Sequence, residues 1–348
     1  MTARISTKKV AFIGQTEYFR CHYETDLDAD CTVFEKHLVW DAPSSWYDDL
    51  LEFNADINIF FRGDLVPLSV VEALKGLRVS YSTEPFPKLL NGGSFDYTLD
   101  SLGRFEQFTR IQNYPFEYVL HYDEASKSFL EGQGFELSGY VPLPIATEAY
   151  CPVEAPRERD ILFLGRSTAH RERHLGQLKL DFDTFHIAHG WPPLRRDRGS
   201  TADLTQLVNQ FRICLNLHAE EELSWEPRMQ LMMACGALVV SEPISPNPYL
   251  QPDVHFVEIR TPAELYRTCC DIVSDPDRFD VIRETGHREV VRSLSARACW
   301  PRLFESLALG HYERPVYEPN RSRIKTLEIC KRYNGFDHLL DSLRSAHG

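Results

Sequence analysis

Twice along this chain of 348 residues, short apolar runs alternate with segments of helical period. In the first series, residues 10–13 end at Gly14 and residues 57–61 end at Arg62 and Gly63. Residues 77–81 lead into Ser82, Thr83, Glu84 and Pro85, and residues 118–121 lead into Asp123 and a helical stretch through Phe129. Continuous apolar runs of this length suit strands buried on both faces. Their alternation with helices predicts a parallel sheet covered by helices. Ligands of such sheets sit beyond the carboxyl ends of the strands, which nominates Gly14, Arg62, Gly63, Glu84 and the loop carrying His22.

Residues 141–159 break the pattern with Pro142, Pro144, Pro152 and Pro156, and read as a linker. A second series follows. Residues 160–164 end at Gly165 and Arg166, residues 184–188 at His189, Gly190 and Trp191, and residues 213–217 at His218. Residues 237–240 end at Ser241, Glu242 and Pro243, and residues 254–259 form a later run. The fold class expected is therefore α/β, with two doubly wound, Rossmann-like parallel-sheet domains facing each other. The expected divisions are a domain at 1–150, a second at 151–311, and a crossing segment with a terminal helix at 312–348. That last piece is expected to pack back on the first domain.

The formal net charge of −13 argues against a broad nucleic-acid surface or an anionic-membrane footprint. Nine scattered cysteines show no CxxC spacing of a zinc or redox motif, and read as reduced thiols of a cytoplasmic protein. No signal-peptide pattern opens the chain, and no apolar run is long enough to cross a bilayer.

Residues 224–243, SWEPRMQLMMACGALVVSEP, carry the most specific chemistry. Pro227 suits a first helical turn because it has no amide hydrogen to lose, the helix formers that follow end at Ala234, Cys235 and Gly236, and a buried strand comes next. The dipole and free amides at such a helix start attract anions, and the Arg228 guanidinium matches a pair of phosphate oxygens.

Four segments then fall in a familiar order. They are GYVPLPIATEAYCP from Gly139, DILFLGRSTAHRERHL from Asp160, ICLNLHAEEELSWEPRMQLMMACGALVVSE from Ile213, and the helical block from Pro262 to Leu309. Together they resemble the two-domain GT-B glycosyltransferases of the group 1 type, and among them the CgeB-like bacterial enzymes, most strongly over residues 118–309. The resemblance implies a nucleotide-sugar donor, such as a UDP- or GDP-sugar, in the second domain and a hydroxyl acceptor held by the first. It implies a donor site at Gly165, Arg166, Arg171, Asn216, His218 and Arg228, with His189, Gly190 and Trp191 near the base and Gly14 contributing from the first domain. Arginines and helix amides would meet the leaving diphosphate, so neither a metal nor a further cofactor is expected. The general base of an inverting transfer would come from His22, Glu84 or Asp123.

At one position the sequence departs from the family. Where the family carries a glutamate for the ribose hydroxyls, this chain has Leu231, beside Gln230; Glu226 or Gln230 is the expected replacement. Two readings stay open beside the transferase: a protein that binds nucleotide sugars without turning them over, and a sugar-nucleotide epimerase of the same fold.

Overall fold

A computed structural model describes residues 8–27, 30–89, 95–96, 99–154, 156–187, 201–219 and 223–319. The chain forms two compact units. One is built on Thr25–Pro142, with flanking residues up to Thr16 and from Leu303 on; the other is built on Glu17–Glu24 and Leu143–Arg302.

The first unit holds a six-stranded sheet of β1 (Lys8–Gly14), β2 (Cys31–His37), β3 (Ile57–Phe61), β4 (Leu77–Ser82), β5 (Tyr118–His121) and β6 (Gly139–Tyr140). The order is β2-β1-β3-β4-β5-β6 and every pairing is parallel. Helices α1 (Asp48–Phe53), α2 (Leu68–Ala73), α3 (Leu99–Phe108) and α4 (Lys127–Gly132) connect the strands. All five residues of β3 are buried, which is why its sequence is an unbroken apolar run. The sequence pattern misses β2: it is an edge strand, only Lys36 is fully buried in it, and its polar and apolar residues follow no clean period. Phe60, Phe86, Phe105, Phe116, Phe129 and Phe135 dominate the core. Of the closing segment, Val316–Tyr317 pairs antiparallel with Phe135–Glu136; the expected terminal helix lies outside the described residues.

The second unit holds β7 (Arg159–Leu164), β8 (Thr184–Ile187), β9 (Phe211–Asn216), β10 (Leu238–Ser241) and β11 (Val257–Glu258). These form a five-stranded parallel sheet in the order β8-β7-β9-β10-β11. Its helices are α5 (Ala169–Asp181), α6 (Thr201–Asn209), α7 (Pro227–Ala234), α8 (Pro262–Ser274) and α9 (Asp280–Glu289), and α10 (Ala296–Ala308) follows. Both units are thus doubly wound parallel sheets, as the alternation of apolar runs predicts. Among the described residues, no helix is long and apolar enough to cross a membrane.

The proline-rich segment before β7 has a buried anchor. Arg157 donates to the carbonyls of Val208 (3.0 Å), Phe211 (2.9 Å) and Cys235 (2.7 Å) and to Asn209 Oδ1 (3.1 Å). It thereby takes up orphan acceptors near the carboxyl ends of both α6 and α7.

Candidate functional site

In the second unit, β7 connects to β8 on one side of the sheet, whereas β9 connects to β10 on the other. The chain therefore diverges between the neighbouring strands β7 and β9, and it is beyond the carboxyl ends of such strands that sheets of this kind bind ligands. The last residues of these strands, Leu164 and Asn216, are followed by Gly165 and Arg166 in one loop and by Leu217 and His218 in the other.

Arg228 ties these loops together. Its Nη1 donates to Leu164 O (2.7 Å), its Nη2 to Leu217 O (2.9 Å) and its Nε to Asn216 Oδ1 (3.1 Å). Asn216 is fixed in turn by donating from Nδ2 to Ser241 Oγ on β10 (2.9 Å). These contacts explain how α7 can bury an arginine. Seven of its eight residues are buried, so only a guanidinium with its donors satisfied is tolerated there. The helix starts at Pro227 and stops where Gly236, at φ +67°, accepts the left-handed conformation; Gly236 N donates to Met233 O (2.8 Å) and Ala237 N to Met232 O (3.1 Å). The start, stop and following strand are those read from residues 224–243.

Arg171 arrives from α5, whose start is capped by Thr168, the acceptor of a hydrogen bond from Arg171 N (3.2 Å). Its Nε donates to Leu217 O (3.0 Å) and its Nη1 to Arg166 O (3.0 Å). Both guanidiniums lie over the Phe163 ring, 5.3 Å from its centroid for Arg171 and 5.5 Å for Arg228. Gly165 is required between them: a Cβ there would stand 2.8 Å from Arg228 Nη1 and 3.0 Å from the Phe163 ring. Burial first, and the neighbouring Arg228 charge second, lower the Arg171 pKa to about 10, so the group stays protonated at neutral pH.

Facing this pair is Glu226, the residue before α7. Its carboxylate is ion-paired with Arg228 Nη2, lies 3.7 Å from Arg171 Nη2 and 3.6 Å from His218 Nδ1, and keeps 25% of its side-chain exposure. Burial pushes the Glu226 pKa up, but the Arg228 charge, with His218 and Arg171 behind it, brings it down to about 2. The cluster thus presents two fixed cations whose open side is filled by an internal anion. His218 is buried and held at both ends, by its amide on Glu242 Oε2 (2.7 Å) and by Nε2 on Pro243 O (2.8 Å).

A family model described as glycosyl transferase-like matches residues 164–305. That span begins at the end of β7 and includes every arginine of the cluster. No curated protein matches the chain. Among solved structures, Anabaena Alr3699/HepE in complex with UDP-glucose is similar at TM-score 0.57 and 10% identity, over 86% of this chain and 99% of that one. The same protein with UDP and glucose gives a TM-score of 0.56 at 10% identity, over 87% of this chain and 100% of that one. Sucrose-phosphate synthase from Thermosynechococcus elongatus gives 0.51 at 9% identity, over 87% and 100% of the two chains. The fold is accordingly the GT-B fold of two Rossmann-like domains.

Of the remaining expected donor-site residues, Arg166 is exposed on the loop, and Gln230 is buried with its amide donating to Leu143 O (3.2 Å). Leu231 is 1% exposed and belongs to the apolar core. His189, Gly190 and Trp191 lie outside the described residues. Gly14 ends β1 and is buried, with its carbonyl accepting from Leu38 N (2.8 Å).

The three base candidates lie in different surroundings. His22, in the second unit, is 3% exposed and its Nδ1 donates to Pro144 O (2.8 Å); burial lowers its pKa to about 4. Asp123, 1% exposed, is ion-paired with the buried Lys88 at 3.0 Å and accepts from Ala125 N (3.0 Å). Burial raises its pKa, but Lys88 and then His121 draw it below the ordinary carboxylate range. Glu84 is ion-paired with Arg62 Nη1 (2.6 Å) and with Arg104, and keeps 13% of its side-chain exposure.

Proposed function

We propose that this chain is a metal-independent glycosyltransferase that moves a sugar from a nucleotide-sugar donor to a hydroxyl acceptor. The observation that carries the reading is the pairing of Arg171 and Arg228 across the Gly165 loop, at the point where the second sheet diverges. Departure of a nucleoside diphosphate places negative charge on the leaving group, and prearranged cations stabilise that charge without reorganising during the reaction. One well-placed donor of this kind is worth about 3 kcal/mol of barrier. Three of the five Arg228 donors are spent on protein oxygens, so the diphosphate reaches this guanidinium by taking the place of Glu226. Arg166 adds charge from the exposed loop, and the buried Asn216 and His218 support the cluster, Asn216 by accepting from Arg228 Nε and His218 by facing Glu226.

The family-model match and the fold support this assignment, and the UDP and UDP-glucose complexes of the Anabaena protein favour a uridine-type donor. Membership of the CgeB-like group and a cytoplasmic setting belong to the same proposal. For an inverting transfer, Glu84 is the base we assign, since it is less buried than His22 or Asp123.

Incubation with a panel of nucleotide sugars tests the reading. Release of a nucleoside diphosphate, faster with an acceptor present, supports it. Binding without turnover points instead to a silent donor-binding protein, and interconversion of donor isomers to an epimerase.

A further inference from the structure

Behind the arginine cluster lies a second set of groups that the donor reading leaves unused. His170 and His174 stand four residues apart on α5, hence on one face of the helix. Across from them stands Glu242, just after β10. Glu242 Oε1 lies 2.7 Å from His170 Nε2 and 3.8 Å from His174 Nε2, and one ligand atom from each of the three residues falls within 4.8 Å of the others. All three residues are buried.

We propose that His170, His174 and Glu242 form a binding site for a divalent transition-metal ion of the zinc type. Its ligand atoms are the two Nε2 nitrogens and Oε1. Three observations carry it, and none depends on the donor reading.

His174 Nε2 is buried without a hydrogen-bond partner, while its Nδ1 donates to His170 O (3.1 Å). That bond fixes the tautomer in which Nε2 holds a lone pair, the second-sphere arrangement found for metal-bound histidines. Glu242 is a buried carboxylate whose Oε1 faces these two imidazoles and whose Oε2 accepts from the backbone of His218, with the Arg171 charge acting on it from the neighbouring cluster. A buried anion so placed is stabilised by a cation. The spacing also suits the ion. Ligand atoms about 2.0–2.2 Å from a tetrahedral zinc are about 3.3 Å from one another, so the 2.7 Å and 3.8 Å separations to Glu242 need sub-ångström adjustments of opposite sign, and the two imidazoles, within 4.8 Å of each other, turn inward. Three protein ligands leave the fourth corner of a tetrahedron to a water molecule, and nitrogen and carboxylate donors fit zinc better than a hard ion that keeps several waters.

Binding would turn His170 to its other tautomer, with the proton moving from Nε2 to Nδ1. Arg173, which now donates to Nδ1 at 3.3 Å, is exposed and has room to turn away. The ion would join the first turns of α5 to the end of β10 and, through Glu242, steady His218 and the neighbouring Leu217 carbonyl on which both arginines converge.

The test is titration of the untagged, metal-stripped full chain with Zn(II), and with Co(II) as its spectroscopic substitute. Wild type is expected to take up one equivalent that His174→Gln and Glu242→Gln lack or bind about 100-fold more weakly, with circular dichroism showing the variants folded. X-ray absorption of the zinc-loaded wild type is expected to show nitrogen and oxygen neighbours only, and it decides the matter should a variant fail to fold. No tight equivalent in wild type, equal binding in both variants, or a sulfur-dominated shell would overturn the proposal.

Discussion

The carboxylate of Glu226 is ion-paired with Arg228 Nη2, while the same guanidinium donates to Leu164, Asn216 and Leu217. An internal anion therefore stands where the proposed diphosphate must stand. Since Glu226 has a pKa near 2, it competes as a charge across the whole working range of pH. Replacing it with Gln keeps the shape and removes the charge. Calorimetry is expected to show nucleoside diphosphate binding tightened by about 10-fold, equivalent to ~1.4 kcal/mol. Weaker binding would mean that Glu226 contacts the ligand favourably.

Gly165→Ala places a methyl group 2.8 Å from Arg228 Nη1 and against the Phe163 ring. Because Gly165 has a backbone that alanine can adopt, the cost falls on the guanidinium. Displacement of a charged group by under an ångström should weaken diphosphate binding by about 10-fold with a small change in melting temperature. Isothermal titration and thermal melting of the same variant separate the two effects.

How much of this arrangement was legible in the sequence depends on what each residue answers to. The strand ends at Leu164 and Asn216 and the helix Pro227–Ala234 with its stop at Gly236 are set by local rules of apolar patterning, proline and glycine, and they stand within a residue of where the sequence places them. Arg228 was legible as a cation at a helix start, but the three acceptors that hold it come from separate strands and loops. Gln230 illustrates the limit: the resemblance makes it a candidate for the ribose contact that Leu231 lacks, whereas its amide bond to the buried carbonyl of Leu143, 87 residues away, has no signal in the sequence. His170 and His174 carried a visible four-residue spacing, but Glu242, which gives the spacing meaning, lies 68 residues beyond His174.

Arg157 lies in the proline-rich segment before β7. Its four hydrogen bonds, three to the ends of α6 and α7 and one to Phe211 at the start of β9, make it structural. Arg157→Ala leaves buried carbonyls without partners and is expected to cost about 3 kcal/mol of stability. Denaturant unfolding measures this, and nucleotide affinity well below the transition should be unchanged.

Acid should weaken the protein before its carboxylates titrate. Burial holds both His22 and His121 at a pKa of about 4, below the ordinary value near 6.5. Between those values the unfolded chain binds more protons than the folded one, so stability is full above pH 6.5 and falls as the pH drops toward 4. Each histidine contributes up to ~3 kcal/mol of this loss. Melting temperatures recorded between pH 7.5 and 4.5 should fall steadily, and His121→Gln should flatten the slope if it folds.

The central claim is that a nucleoside diphosphate binds at the paired arginines beyond β7 and β9. Its most direct test is calorimetric titration of UDP, with GDP and ADP beside it, into wild type, Arg228→Lys and Arg171→Lys. Lysine keeps the charge but loses the planar fork. At least one nucleotide should bind wild type, with affinity reduced by about 10-fold or more in both variants. Binding of no nucleotide, or equal affinity in all three proteins, would contradict the account.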